Sequence, residues 1–311
     1  MKSLISIHSI NSMKLLPLVA STFLITALSI PAFGADAAQK KILLLAGAPS
    51  HGPGEHEHNA GVLLLKKCLD ESGLPLETTA KLNAQWPSKE ELASADTILF
   101  YADGGGGHPM LNGDHLEQTA EQMKRGCGFV ALHYAVEFPA DKGGPQALDW
   151  MGGFFEANWS VNPHWKANYL EFPKHPISSG VKPFSTQDEW YFHMRFQAGK
   201  GKLTNVLADV PPASTMERGD GAHSGNPTVR AAVAAKKPQT TAWAYERPEN
   251  GGRGFGFTGG HFHHGWGNDD QRKLVLNAIL WTAKAEVPAK GVESKVTEAD
   301  LTANLDPKAK K

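Results

Sequence analysis

The chain has 311 residues, of which 41% are hydrophobic and 20% are charged, and its formal net charge is −1. Such a composition is typical of a globular chain that can bury a sizeable apolar core. The near-zero charge gives no support for a nucleic-acid partner or for electrostatic attraction to a membrane surface. We therefore expect neither of these partners.

The first segment, residues 1–37, has the pattern of a cleavable signal peptide. Lys14 precedes an uncharged apolar run over 15–30, and small residues follow at 31–37. The run is about sixteen residues long, which favours a signal peptide over a membrane span, although an uncleaved anchor is the alternative. Met1 and Met13 are both candidate starts. The prediction is a periplasmic or secreted protein with no stable membrane span after cleavage.

The next hundred residues alternate between strand-like and helix-like patterns. We predict strands over 42–46, 76–82, 97–101 and 128–132, separated by helices over 62–69, from a capping box at Ser88 and Glu91, and over 115–124. This order predicts an α/β fold with a doubly wound, mostly parallel sheet. The predicted domain covers residues 38–285.

Residues 134–240 interrupt this alternation of strands and helices with an insertion rich in aromatic residues, glycine and proline. Strands are predicted within it over 166–172, 189–196 and 205–208. The sheet then resumes over 240–245 and 254–258, and a last helix is expected after Asp269. Residues 286–311 are charged and contain proline, which predicts a surface-hugging or disordered tail.

Histidines follow three of the predicted strands, and they are the main candidates for a site. Because the carboxyl ends of parallel strands meet at one edge, these side chains are expected to converge. Imidazole serves either as a metal ligand or as an acid–base group, so both roles stay open. If a divalent metal binds, zinc is the first candidate, with ligands drawn from His51, His56, His58, His133, His261 and His263. The glycine run after the third strand lacks a dinucleotide or P-loop signature, so no nucleotide cofactor is expected.

Further candidates come from the insertion and the segment before it. A strand over 189–196 would place alternate polar residues on one face, and aromatic rings suit the stacking of sugar faces, although most rings in such a segment simply pack. The catalytic candidates are His133, Glu189, Glu137 and His193. The candidate substrate contacts are Trp165, Trp190, Arg195 and Asn226.

Four short motifs together resemble those of a known family. They are Ser50-His51-Gly52 followed by Glu55-His56-Glu57-His58, then the segments 128–133, 188–191 and 252–261. Over residues 41–285 the chain resembles the ThuA-like (trehalose utilisation) family, which implies a class I glutamine amidotransferase-like, flavodoxin-like fold. The resemblance also implies a carbohydrate context in which keto-sugars made by a partner oxidoreductase are processed. His133 stands where glutamine amidotransferases carry cysteine, so that activity is not expected.

The sequence therefore favours an exported carbohydrate-processing enzyme that acts on a glycoside or keto-sugar as a hydrolase, lyase or isomerase. Its site would be histidine-rich and would lie at the carboxyl edge of the sheet. The alternatives are a non-catalytic sugar-binding module of the same fold and a purely structural zinc site. The expected partner is a small-molecule carbohydrate, and a homo-oligomer stays open beside a monomer.

Overall fold

The computed structural model describes residues 39–308, so the predicted signal peptide lies outside the described residues. Eleven strands are present in this part of the chain: β1 (Lys40–Ala46), β2 (Leu76–Lys81), β3 (Thr97–Tyr101), β4 (Gly128–Leu132), β5 (Gly153–Phe154), β6 (His164–Tyr169), β7 (Phe184–Glu189), β8 (Arg195–Phe196), β9 (Lys202–Asp209), β10 (Gln239–Glu246) and β11 (Arg253–Phe257). The α-helices in the same part are α1 (His58–Asp70), α2 (Lys89–Ser94), α3 (His115–Lys124), α4 (Gly144–Met151), α5 (Pro227–Ala234), α6 (Asp269–Thr282) and α7 (Glu298–Thr302).

A central sheet of seven strands organises the domain, in the order β2-β1-β3-β4-β11-β10-β9. The first five strands in this order are parallel, whereas β10 runs antiparallel to both of its neighbours. The predicted doubly wound, mostly parallel α/β sheet is thus confirmed. The carboxyl ends of β1, β3, β4 and β11 lie side by side, and this edge positions the site.

Both faces of the sheet are covered, as the continuous apolar strands predict. Along β1, Leu44 points into one core with α1, α5 and α6, while Leu43 and Leu45 point into the other with side chains from α2, α3 and α4. Every residue of β3 and β4 is buried. Burial on two faces is why these strands carry apolar residues at every position instead of alternating.

The insertion differs from its prediction at one important point. The predicted strand over 189–196 is wrong, because β7 ends at Glu189 and residues 190–194 are irregular, with His193 at a φ of 60°. The alternate residues of this stretch therefore do not share one face. The strand ends where Asp188 turns its carboxylate onto the loop after β11. A further difference is that β9 forms the edge of the main sheet.

The last described residues fold back onto the domain. Leu301 of α7 packs against the core that contains Leu44 and side chains of α1, α5 and α6. The segment after α7 reaches the loop that follows β1. Lys308 donates hydrogen bonds there to the carbonyl oxygens of Glu55 and His56. Within residues 39–308, no helix is both long enough and apolar enough to cross a bilayer.

Candidate functional site

Three histidines and one carboxylate meet at the carboxyl edge of the sheet. His56 follows β1, His133 follows β4 and His261 follows β11, so three parallel strands of the central sheet deliver these side chains to the same edge. Glu189 is the last residue of β7 and comes from the insertion. One ligand atom from each of the four side chains lies within 4.8 Å of the others.

The distances within this group match the separation of ligands around one small cation. His56 Nε2 lies 3.0 Å from His133 Nε2 and 3.1 Å from His261 Nδ1. Glu189 Oε2 lies 3.2 Å from His261 Nδ1 and 3.6 Å from His133 Nε2. Tetrahedral coordination with bonds of 2.0–2.1 Å places ligand atoms about 3.3 Å apart. The four atoms can therefore surround a zinc-sized ion.

The partners of the other ring nitrogens decide which atoms carry protons. His133 Nδ1 donates to the carbonyl oxygen of Thr258 at 2.9 Å, and His56 Nδ1 donates to Asp103 Oδ1 at 2.9 Å. In a neutral ring the Nε2 atom then carries a lone pair. Two such lone pairs face each other at 3.0 Å, which is repulsive unless a cation lies between them. Histidines oriented by a carbonyl or a carboxylate are typical of metal sites.

Asp188 joins the two segments that supply Glu189 and His261. Its carboxylate accepts hydrogen bonds from the backbone N–H groups of Gly260 at 2.7 Å, His261 at 3.0 Å and Glu189 at 2.8 Å. Asp188 is fully buried, and burial raises its pKa to about 6 although these three donors act in the opposite direction. One side chain thus holds a carboxylate and an imidazole in fixed relative positions.

Several residues of the site have an unusual backbone conformation. His51, His56 and His133 have φ values of 59°, 45° and 54°, in the left-handed region that side-chain-bearing residues rarely adopt. His133 directly follows β4 and is the first residue of a short 3₁₀ helix over 133–136. Each such residue costs about 1–3 kcal/mol, and strain of this kind clusters at functional sites.

The electrostatics of the group keep the imidazoles of His56 and His133 neutral and the carboxylate of Glu189 ionised. Burial lowers the pKa of His56 to about 4, and burial together with the neighbouring His56 ring lowers the pKa of His133 well below its usual value. Burial by itself would raise the pKa of Glu189, but His164, His261 and His133 hold it far below its usual value. Neutral imidazole and ionised carboxylate are the forms that bind a cation.

A small cavity, called the inner cavity below, opens beside this group. Its volume is about 150 Å³, and its lining residues are His51, Tyr134, Glu137, Asn162, Glu189, Tyr191, His223 and His261. A second cavity of about 280 Å³ shares Asn162 and Glu189 with the first and is also lined by Ser214 and Arg218. Asn162 Nδ2 donates to Glu189 Oε1 at 2.9 Å, which leaves Oε2 facing the histidines. The four-residue group is therefore reachable by a small molecule.

The six histidines predicted as metal ligands do not all belong to the group. His51 forms a smaller set with His56 and Asp103 near the surface. His58 is the first residue of α1, and its Nδ1 donates to the carbonyl oxygen of Ala48 at 3.1 Å. His263 is buried with no partner for either ring nitrogen among the described residues. From the loop after β1, His56 and not His58 joins the group, because the start of α1 at His58 turns the two side chains apart.

The predicted substrate contacts lie away from the cavities. Trp165 and Trp190 are 3% and 0% exposed and pack in the core. Arg195 makes a bidentate ion pair with Glu156 at 2.8 and 2.9 Å, and Asn226 caps α5. None of these four residues lines either of the two cavities described above. His193, a predicted catalytic residue, donates from Nδ1 to the carbonyl oxygen of Trp159 at 3.0 Å and does not line the cavity either.

Other residues of the site were not singled out from the sequence. Asp103 orients His56 and also accepts a hydrogen bond from Ser50 Oγ at 2.8 Å. It follows β3, so the rule used for the histidines, a polar residue at a strand's carboxyl end, would have found it. Tyr191 lies in the motif over 188–191 but was not predicted as a site residue, and His223 belongs to an irregular segment that no local pattern marks.

Fold and site together define a doubly wound α/β protein with a histidine–carboxylate group at the carboxyl edge of its sheet. The family model described as ThuA, trehalose utilisation, matches residues 41–282. The chain therefore belongs to the ThuA family, as its motifs predict, and membership implies a role in carbohydrate utilisation.

A solved structure supports the fold assignment. The crystal structure of a ThuA-like protein from Bacteroides uniformis is similar, with a TM-score of 0.55 and 16% sequence identity over 81% of this chain and 94% of that chain. At this identity the likeness shows the fold alone. No curated protein sequence matched the chain.

Proposed function

We propose that this chain is an exported, metal-dependent enzyme that acts on a glycoside or keto-sugar, with His56, His133, His261 and Glu189 as ligands of one divalent metal. Zinc is the first candidate because three imidazoles and one carboxylate suit it. Once bound, such a cation would supply Lewis-acid chemistry toward a sugar oxygen. The family's role in carbohydrate utilisation supports the choice of substrate class.

One observation carries the metal proposal: one potential ligand atom from each of the four side chains lies within 4.8 Å of the others, and the Nδ1 atoms of His56 and His133 already donate to oxygen acceptors. A group of neutral imidazoles linked only by hydrogen bonds would place a donor between each close pair. The partners of His56 and His133 remove that donor from their shared contact. A cation between these two atoms would attract both lone pairs, which otherwise repel each other.

The protein's own residues would bind and orient the sugar. The Tyr191 hydroxyl lies 3.2 Å from His133 Nε2 and lines the inner cavity, where it can hydrogen-bond a substrate oxygen next to the ligand group. Asn162 donates a hydrogen bond to Glu189 Oε1 and lines both cavities. The inner cavity of about 150 Å³ leaves little room for bulk water around a bound sugar ring.

The sugar-binding alternative has less support. A binding module needs exposed aromatic rings as a platform, yet the exposed large hydrophobic side chains of residues 39–308 are Leu170, Val210 and Leu305, none of which is aromatic. A closed structural zinc site is also less well supported, because Glu189 and His261 line a cavity.

The test of the metal is elemental analysis of the purified chain, with variants that remove one ligand each. We expect one metal ion per chain in the wild type and less than a tenth of that in His133→Ala and Glu189→Gln. His264→Ala is the matched control, because His264 is exposed and close to His261 in sequence. A chain that binds no zinc, manganese or iron in calorimetric titration would refute the metal site.

The test of the enzyme uses a panel of glycosides and keto-glycosides with product detection by mass spectrometry. Turnover that falls with metal content supports the proposal. If the wild type binds sugars without turning any of them over, and this binding survives His133→Ala, the binding module would be favoured instead. Metal loss that lowers only the melting temperature would favour the structural site. Amino-terminal sequencing of protein recovered from a periplasmic extract tests export, and an intact residue 1–37 segment would contradict it.

A further inference from the structure

We propose that Glu137 and His223 form an acid–base pair, in which His223 Nδ1 exchanges a proton with the substrate and Glu137 positions the ring. The inference rests on the proposed function and adds to it a second reactive group in the inner cavity. The two residues come from distant parts of the chain and line the same cavity as Glu189 and His261.

Glu137 is held rigidly at the carboxyl edge of the sheet. It follows the 3₁₀ helix after β4, and its backbone pairs with Phe155. Its carbonyl oxygen accepts a hydrogen bond from Gly105 N at 3.0 Å, and its side chain is 6% exposed. Gly105 has a φ of 57°, which lets the glycine-rich loop approach this closely. The carboxylate is therefore fixed in place before any substrate arrives.

The long loop of the insertion brings His223 to this carboxylate. Asn162 N donates to the carbonyl oxygen of His223 at 3.0 Å, and the imidazole stacks on Phe155 at a centroid distance of 5.3 Å and an angle of 21°. The ring is 38% exposed, so it is half-buried yet open to the cavity.

The hydrogen bonds divide the roles of the two ring nitrogens. His223 Nε2 lies 3.0 and 3.1 Å from the two carboxylate oxygens of Glu137 and donates to them. Nδ1 makes no hydrogen bond within residues 39–308 and remains available. A carboxylate on one imidazole nitrogen, with the other nitrogen facing the reaction, fixes the tautomer and stabilises the imidazolium. This division of roles is what a general acid–base histidine needs.

The charges around the ring favour its protonated form on balance. The hydrogen bond that His223 donates to Glu137 raises the pKa of His223, and burial opposes that effect. Glu189 also favours the charged ring, whereas Arg218 disfavours it. Tyr134 is neutral here, because burial raises its pKa to about 12.

The proton transfer balances for hydrolysis of a glycoside. His223 Nδ1 gives its proton to the departing glycosidic oxygen, which keeps the electron pair of the broken C–O bond. Water then bonds to the sugar carbon through its oxygen, and the proton that water releases returns to Nδ1. Both products leave as neutral hydroxyl compounds, and the enzyme returns to its starting state.

A leaving-group comparison separates this role from a structural one. An alkyl glycoside needs a proton on its leaving oxygen, whereas a nitrophenyl glycoside leaves as a stable phenolate. We expect His223→Gln to lower kcat about 10²–10⁴-fold on the alkyl glycoside and less than tenfold on the nitrophenyl glycoside. Metal content should stay at the wild-type value, which separates failure of this inference from failure of the metal site. Equal losses on both substrates, or no loss, would overturn the pair.

A second measurement needs no substrate. In Glu137→Gln the amide still fills the site but no longer stabilises the imidazolium, so NMR titration should show a lower pKa for His223 than in the wild type. His164→Gln is the control, because it changes another imidazole that lies 3.6 Å from Glu189 instead of Glu137. An unchanged pKa of His223 in Glu137→Gln would overturn the inference even if no glycoside is turned over.

Discussion

Replacing Lys308 by Met should destabilise the domain far more than its place near the end of the chain suggests. Lys308 Nζ lies 3.3 Å from Glu57 Oε1, and the two side chains are 5% and 1% exposed. The same ammonium donates to the carbonyl oxygens of Glu55 and His56. The substitution keeps the length and packing of the stem but leaves a buried carboxylate without its cation.

The magnitude follows from the partners that Glu57 keeps. Breaking a buried ion pair by removing one partner costs about 3–5 kcal/mol. Glu57 still accepts hydrogen bonds from Gly54 N at 2.8 Å and Asp306 N at 2.8 Å, so we expect the lower end of that range. A loss of about 3 kcal/mol lowers the melting temperature by roughly 6–12 °C in a domain of this size.

Urea unfolding at pH 7.5 measures this loss, with two comparisons. Lys202→Met breaks an exposed pair with Glu246, 71% and 40% exposed, and should cost less than about 1 kcal/mol. The double variant Glu57→Gln with Lys308→Met should recover most of the loss, because no buried charge is left unpaired. The reasoning is refuted if Lys308→Met costs no more than Lys202→Met, or if the double variant is as unstable as the sum of the two single variants.

Three further predictions address pH, packing and metal. His108 is buried and burial lowers its pKa to about 3, so as pH falls below about 6.5 the unfolded state binds a proton at this residue before the folded state does. The wild type therefore loses unfolding free energy between pH 6 and pH 5, and His108→Asn should reduce that loss by about 1 kcal/mol. Parallel curves of unfolding free energy against pH for the two proteins would contradict this. Gly61→Ala should destabilise by about 1–3 kcal/mol in thermal unfolding despite better helix propensity, since its Cβ would overlap the ring of Tyr101. Gly106→Ala has open space around the added methyl group and should be neutral. Chelation should lower the melting temperature of the wild type but leave that of His133→Ala unchanged, because zinc at a thousand times its Kd adds about 4 kcal/mol to the free energy of unfolding of a protein that binds it. Equal shifts of the melting temperature in the two proteins would count against His133 as a metal ligand.

The parallel sheet was predictable because its strands are buried on both faces. The runs over 97–101 and 128–132 are apolar throughout, and the structure has β3 and β4 over these same residues. Once the strands are parallel, their carboxyl ends must share an edge, so the approach of His56, His133 and His261 follows from local patterns and one topological rule.

The choice among neighbouring histidines was not predictable in the same way. His56 and His58 are two residues apart, and only the start of α1 at His58 determines which ring turns toward His133. Asn59 is of a residue type that favours N-cap positions, but here it lies within α1 and its side chain bonds to Asn83 and Asp306. Contacts with remote segments decided this helix start.

By itself the sequence determined the parallel strands, the helices that connect the first four of them and the edge at which polar residues gather, because hydrophobic periodicity and capping patterns act within a few residues. Only the tertiary structure decided how the insertion supplies Glu189 and His223, and that Lys308 returns to the loop after β1. Asp188 binding to Gly260 and His261, and His223 binding to Glu137, join segments more than seventy residues apart. Such contacts depend on the packing of the whole chain, and no local pattern encodes them.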